Sequence, residues 1–135
     1  MTHPLQSVLA GEHAAMWVLS FLGGRVSRSS SAALADAITL SYRTHRSRRD
    51  QLNLLIRDAG EEPVAAEVAY QAPAAATNDE IRAAALAVEQ AGTALYGEAI
   101  STTSGPLRAW ALRALADSAV RQLSFGGLPE PTPGL

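Results

Sequence analysis

The chain has 135 residues, a formal charge of −2 and no cysteine. A chain of this length forms one domain around a single core, and without cysteine it has neither disulfides nor thiolate metal ligands. All eleven basic residues are arginines and thirteen residues are acidic, a balance that argues against nucleic acid as a partner. The longest apolar run, residues 14–24, is about half the length of a membrane-spanning helix and lacks the flanks of a secretory signal. We therefore expect a cytoplasmic protein without membrane spans.

Apolar residues recur at helical spacing in the first half of the chain. They predict a helix over about residues 5–26, a short turn rich in serine, and a second helix over about residues 31–59. Gly60 follows as a C-terminal cap. Residues 60–77 contain prolines and many alanines without periodicity, which predicts an irregular connection of unusual length.

The second half of the chain predicts two more helices. Thr77 and Glu80 have the spacing of a capping box, so a third helix should begin there and run to about residue 103. A fourth is predicted over about residues 106–124, followed by a tail over residues 125–135 that is rich in proline and glycine. Short, long and short connections predict an all-α antiparallel four-helix bundle with one long crossover between the second and third helices. This is the ferritin-like variant of the fold.

Polar residues interrupt the predicted apolar faces of three helices. Glu12, His45 and Glu89 fall at similar heights on the first, second and third helix. Because an unpaired buried carboxylate is costly, we expect the three side chains to meet in the core. They could form a hydrogen-bonded cluster with support from Tyr42 or Arg49 and no metal, or they could hold one ion of iron, manganese or zinc.

The pattern of a two-metal bundle is incomplete. Such bundles carry a glutamate on each of two helices and a Glu-x-x-His pair on each of the other two. Tyr42 stands where a glutamate should precede His45, and the fourth helix offers only Asp117. Arg113 and Arg121 lie four residues on either side of Asp117, which is the spacing of surface ion pairs. We therefore expect no resident cofactor, with a single weakly held ion as the alternative.

One short stretch of the second helix is strongly basic. It contains four arginines, which either are solvated helix charges or bind phosphate or an acidic protein surface. Glycine-rich phosphate loops and Ser/His/Asp signatures do not occur in the sequence, which predicts no catalytic residue. The four arginines are Arg43, Arg46, Arg48 and Arg49.

Three motifs resemble a family of uncharacterised bacterial ferritin-like proteins. They are residues 9–15 (LAGEHAA), 45–50 (HRSRRD) and 61–66 (EEPVAA). Tyr70, Pro73, Glu89, Tyr96 and the Pro-Gly ending extend the likeness over almost the whole chain. The resemblance implies a dimeric ferritin-like bundle of unsettled role. It does not imply ferroxidase or oxygenase activity, because the second Glu-x-x-His pair is missing.

Three functions are consistent with these features. We expect a noncatalytic bundle that associates with itself as a homodimer, or with a protein partner, through its outer faces. The alternative is a reduced metal-binding bundle in which Glu12, His45 and Glu89 hold one iron, manganese or zinc ion for redox or storage chemistry. The third is an arginine-rich module that binds an anionic ligand at residues 43–49.

Overall fold

The computed structural model describes residues 2–134. This part of the chain is helical, with strands absent from the described residues, and none of its helices is both long and apolar enough to cross a membrane. The helices are α1 (Leu5–Gly23), α2 (Ala32–Asp58), α3 (Asn78–Thr102) and α4 (Gly105–Ser124).

The first helix is shorter than the sequence predicts. It ends at Gly23 rather than at about residue 26. Gly23 and Gly24 are adjacent weak helix formers, and the backbone N–H groups of Arg25 and Val26 both turn back to the carbonyl of Leu22, at 3.0 and 2.9 Å. Helix α1 therefore ends three residues earlier than the sequence predicts.

Local capping fixes both ends of the long connection. At the end of α2, Gly60 has φ +88°, and the N–H groups of Gly60 and Glu61 donate to the carbonyls of Arg57 and Ile56. This pair of bonds around a left-handed glycine is the Schellman motif, which stops a helix. Thr77 and Glu80 form the predicted capping box at the start of α3. The connection therefore occupies residues 59–77.

Two apolar clusters show how the helices run. One joins the start of α1 (Leu5) to the later parts of α2 and α3 (Ile56 and Tyr96), and the other joins the end of α1 (Leu22) to their beginnings. Helices α2 and α3 are therefore parallel to each other and antiparallel to α1. This requires the connection to traverse the length of the bundle. The fold is an all-α antiparallel four-helix bundle with one long crossover.

The two irregular segments cover two of the helices. The connection follows α1, because the Val64 N–H donates to Gln6 Oε1 and the Val64 carbonyl lies 2.9 Å from His13 Nε2. The C-terminal tail follows α3, and a side chain at Gly127 would lie 2.9 Å from Leu86 Cδ1. Gly134 reaches the backbone of Thr93 further along the same helix. The outer sides of α2 and α4 carry no comparable cover in the described chain.

Candidate functional site

His45 occupies the centre of the bundle and bridges two carboxylates from different helices. Its Nδ1 lies 2.5 Å from Glu12 Oε2 on α1, and its Nε2 lies 2.5 Å from Glu89 Oε1 on α3. The three side chains are at most 3% exposed. The structure therefore brings together the three polar residues that interrupt the predicted apolar faces.

Two hydroxyl groups also donate hydrogen bonds to the carboxylates. Tyr96 Oη donates to Glu12 Oε1 at 2.8 Å, and Ser41 Oγ donates to Glu89 Oε1 at 2.8 Å. Because buried polar groups are costly when unpaired, each of these bonds contributes about 1 kcal/mol or more to the free energy of unfolding. The cluster is thus held by α1, α2 and α3 together.

Arg48 connects this cluster to the fourth helix. Its guanidinium is buried, lies 3.9 Å from Glu12 Oε1 and sits over the Tyr96 ring at 5.3 Å. The same group donates to Ser118 Oγ at 2.8 Å and to Asp117 Oδ2 at 2.6 Å. Asp117 therefore binds a buried arginine of α2 as well as its helical neighbour. We call the set Glu12, Ser41, His45, Arg48, Glu89, Tyr96 and Ser118 the core polar cluster.

Three sequence-based assignments differ from the structure. Tyr42 and Arg49, predicted to support the cluster, line a small outer cavity beside α1, and Arg49 pairs with Asp50. They stand seven residues apart on one side of α2, about 100° round the helix from Ser41 and Arg48. Asp117 pairs with Arg121 as expected, but no ion pair with Arg113 occurs in residues 2–134.

Sequence reasoning did not find Ser41, Arg48 or Tyr96 as members of the cluster. A signal for two of them exists, because Ser41 and Arg48 lie four before and three after His45 on the same helical stripe. Arg48 was hidden in a run of four arginines, and Tyr96 reads as an ordinary apolar position. Their roles depend on packing between helices that are distant in sequence.

Protonation of His45 gives the cluster its charge pattern. Burial alone would lower the pKa of His45, but hydrogen bonds and charge from Glu12 and Glu89 outweigh burial and raise this pKa from 6.5 to about 9. Burial would raise the pKa of Glu89, and the hydrogen bond from His45 reverses this and lowers it. Burial, with the charge of Glu12, raises the pKa of Tyr96 well above 10, so Tyr96 stays a neutral donor. At neutral pH His45 is therefore an imidazolium that bridges Glu12 and Glu89.

The geometry of His45 does not fit one metal ion shared with both glutamates. The two ring nitrogens point in divergent directions, and each already faces a carboxylate from a different helix. Glu12 and Glu89 therefore lie at opposite edges of the ring instead of side by side around an ion. Among residues 2–134, no group of three or more histidine or acidic side chains is arranged to hold a metal.

A cavity of about 330 Å³ between α1, α3 and the crossover reaches the edges of Glu12 and His45. Half of the residues in its walls are alanine or glycine, which leave space that larger side chains would fill. One unpaired atom remains nearby, because Glu89 Oε2 is the single buried side-chain oxygen or nitrogen without a partner in the described residues. A buried polar atom without a partner lowers the free energy of unfolding by about 1–3 kcal/mol. The arrangement favours an ionic cross-link between helices and offers no polarised nucleophile.

Comparison with known proteins identifies the family and the fold. No curated protein matches the chain. A crystal structure described as a conserved hypothetical protein, rv2844, from Mycobacterium tuberculosis is similar with a TM-score of 0.82 at 21% identity, over 94% of this chain and 91% of that chain. At this identity the similarity shows the fold alone. A family model described as a domain of unknown function matches residues 4–135. Since this match spans nearly the whole chain, the protein belongs to the family described as Domain of unknown function (DUF4439).

Proposed function

We propose that this protein is a noncatalytic helical bundle that acts by binding a second copy of itself through the face formed by α2 and α4. One observation carries the proposal. In residues 2–134, every exposed large apolar side chain that lies on a helix belongs to α2 or α4. These residues are Leu40 and Leu54 on α2, and Leu112, Val120 and Leu123 on α4.

These side chains lie on the outer sides of two helices, α2 and α4. Leu112, Val120 and Leu123 are eight and three residues apart and therefore share one stripe of α4. The equivalent sides of α1 and α3 are covered by the crossover and the tail of the same chain. Exposed apolar residues that are scattered need no explanation, but a set confined to one face is typical of an interaction site. We call this surface the α2–α4 face.

The core polar cluster supports a role in holding the bundle together. Both nitrogens of His45 and three of the four carboxylate oxygens of Glu12 and Glu89 bind other members of the cluster. The fourth oxygen, Glu89 Oε2, is buried and belongs to a carboxylate whose other oxygen binds His45 and Ser41. We also propose that the chain is related to the ferritin-like bundles, because a single long crossover is typical of them.

Aspartate at Leu40 and Leu112 is expected to weaken self-association. Burying one leucine contributes about 1.5–3 kcal/mol, so each substitution should raise the dissociation constant about tenfold to a hundredfold. Sedimentation velocity from micromolar to near-millimolar protein measures this. Leu128→Asp is the matched control, because Leu128 is exposed on the tail and lies outside the α2–α4 face. Wild-type protein that stays monomeric throughout this range would contradict the proposed function.

The alternative is a reduced metal-binding bundle in which Glu12, His45 and Glu89 hold one iron, manganese or zinc ion for redox or storage chemistry. An ion at His45 would have to replace its proton and one carboxylate contact. We therefore expect untagged wild-type protein and the His45→Ala variant to contain equally little metal by mass spectrometry of the elements. Near-stoichiometric metal in the wild type that His45→Ala loses would favour the alternative.

A further inference from the structure

Charge is distributed unevenly among the four helices. Helices α2 and α4 together contain eight arginines and four aspartates, although the whole chain is negative. Helices α1 and α3 contain five acidic residues and one arginine, and the crossover contains three glutamates and no basic residue. Arg48 is buried, but the remaining seven arginines still outnumber the four aspartates, so α2 and α4 are the more positive helices of an acidic protein. An acidic partner surface would be attracted to them.

A groove runs along this face between α2 and α4. Its volume is about 430 Å³, and Leu40, Arg43, Arg113 and Trp110 are among its walls. Arg43 and Arg113 are both exposed and form no ion pair with any described residue. Trp110 donates its indole N–H to Gln51 Oε1 at 2.8 Å, which fixes the ring in the wall of the groove. The groove thus offers two free guanidinium groups beside apolar surface.

The crossover presents side chains of the complementary kind. Glu62 and Glu67 are exposed, and neither carboxylate bonds to another described residue. Val68, which directly follows Glu67, is fully exposed, and Val64 is 40% exposed. The backbone at Val64 is anchored on Gln6 and His13 of α1. The segment 62–68 is therefore a fixed ridge of carboxylates and valines, and we call it the acidic ridge.

We propose that the acidic ridge of one copy docks in the α2–α4 groove of another copy. This inference rests on the proposed function and specifies its geometry. The groove from Leu40 to Gln51 follows about 16 Å of helix at 1.5 Å per residue. An extended chain from Glu62 to Glu67 covers about 17 Å. The two glutamates would pair with Arg43 and Arg113, and the valines would contact the apolar wall.

Docking of this kind joins a different surface of each copy. The contact can form twice in a two-fold dimer, in which each copy supplies a ridge and a groove, or it can repeat head to tail into a ring or an open chain. An interface of two identical α2–α4 faces would instead place the arginines of both copies against each other. The ridge-in-groove contact avoids that repulsion, and added salt should weaken it.

Exchange of the charges tests the contact. We expect the groove variant Arg43→Glu/Arg113→Glu and the ridge variant Glu62→Arg/Glu67→Arg each to associate at least about tenfold more weakly than wild type, because both replace attraction by repulsion. An equal mixture of the two variants should regain association near the wild-type level, because the acidic groove of one accepts the basic ridge of the other. Sedimentation velocity of each variant and of the mixture measures this.

The controls separate this inference from the proposed function. Glu98→Arg reverses an exposed charge on α3, outside both surfaces, and should associate like wild type. Circular dichroism checks that each variant is helical. If wild type associates and the ridge variant associates equally well, or if the mixture shows no recovery, the docking of the ridge is wrong while self-association stands. Wild type that is monomeric at every concentration would contradict both.

Discussion

Replacement of His45 by alanine is expected to lower the free energy of unfolding by about 3–5 kcal/mol at neutral pH, as for other broken buried ion pairs. The imidazolium holds Glu12 and Glu89 apart and compensates their charge in a site that is almost closed to water. Without it, two carboxylates would share a cavity, and one of them would have to take up a proton or draw in water. The loss of packing adds to this cost.

Chemical denaturation monitored by circular dichroism measures this effect. Arg49→Ala is the matched control, because Arg49 lies on the same helix four residues away, is partly buried and binds only Asp50. We expect that control to change the free energy of unfolding by less than about 1 kcal/mol. A His45→Ala variant as stable as the control would mean that the core polar cluster does not form in solution.

The free energy of unfolding is also expected to fall by about 3 kcal/mol as the pH rises from 6.5 to above 9. The pKa of His45 is raised from 6.5 to about 9 in the folded protein, so the folded state holds this proton more tightly than the unfolded state. Stability from this proton is therefore complete below pH 6.5 and is lost as the pH passes through about 9. A shift of this size corresponds to about 3 kcal/mol at 1.36 kcal/mol per pKa unit.

Protonation of Glu89 is expected to lower the free energy of unfolding at acidic pH. Its pKa is lowered from 4.5, so its contribution is complete above pH 4.5 and is lost as the pH falls through the lowered pKa. The cluster should thus stabilise the fold most between about pH 4.5 and 6.5. Denaturation curves from pH 4 to pH 10 measure the profile.

A neutral variant of the cluster provides the control for the pH profile. Glu12→Gln/Glu89→Gln keeps the shape of both side chains but removes the charges that raise the pKa of His45. We expect the decline of stability between pH 6.5 and 9 to disappear in this variant. If the decline persists unchanged, groups other than His45 cause it.

The fold was accessible from the sequence because its signals are local. Gly60 ends α2 through its left-handed conformation, and Thr77 with Glu80 begins α3, so the length of the crossover follows from neighbouring residues alone. A crossover of that length can span the bundle and so allows α2 and α3 to be parallel. The end of α1 was less accessible, because Val26 continues the apolar pattern after the glycines have already stopped the helix.

Only part of the candidate site could be predicted from the sequence. Glu12, His45 and Glu89 could be found because a charged residue on an apolar face needs a partner, but the partners themselves depend on helix rotation. Tyr42 and Arg49 are about 100° away from the correct stripe, and the sequence pattern of α2 allows either direction. The α2–α4 face could not be predicted from the sequence, since it depends on which helices the crossover and the tail cover.

The central imidazolium also has a consequence for how the chain folds. His45 is 33 residues from Glu12 and 44 from Glu89, and Tyr96 is 84 from Glu12, so the bonds that hold the proton close large loops. Loops of this size close after local helices have formed. Near pH 8, proton uptake should therefore accompany the docking of α3 onto the α1–α2 hairpin, and the rate of that last step should depend on pH.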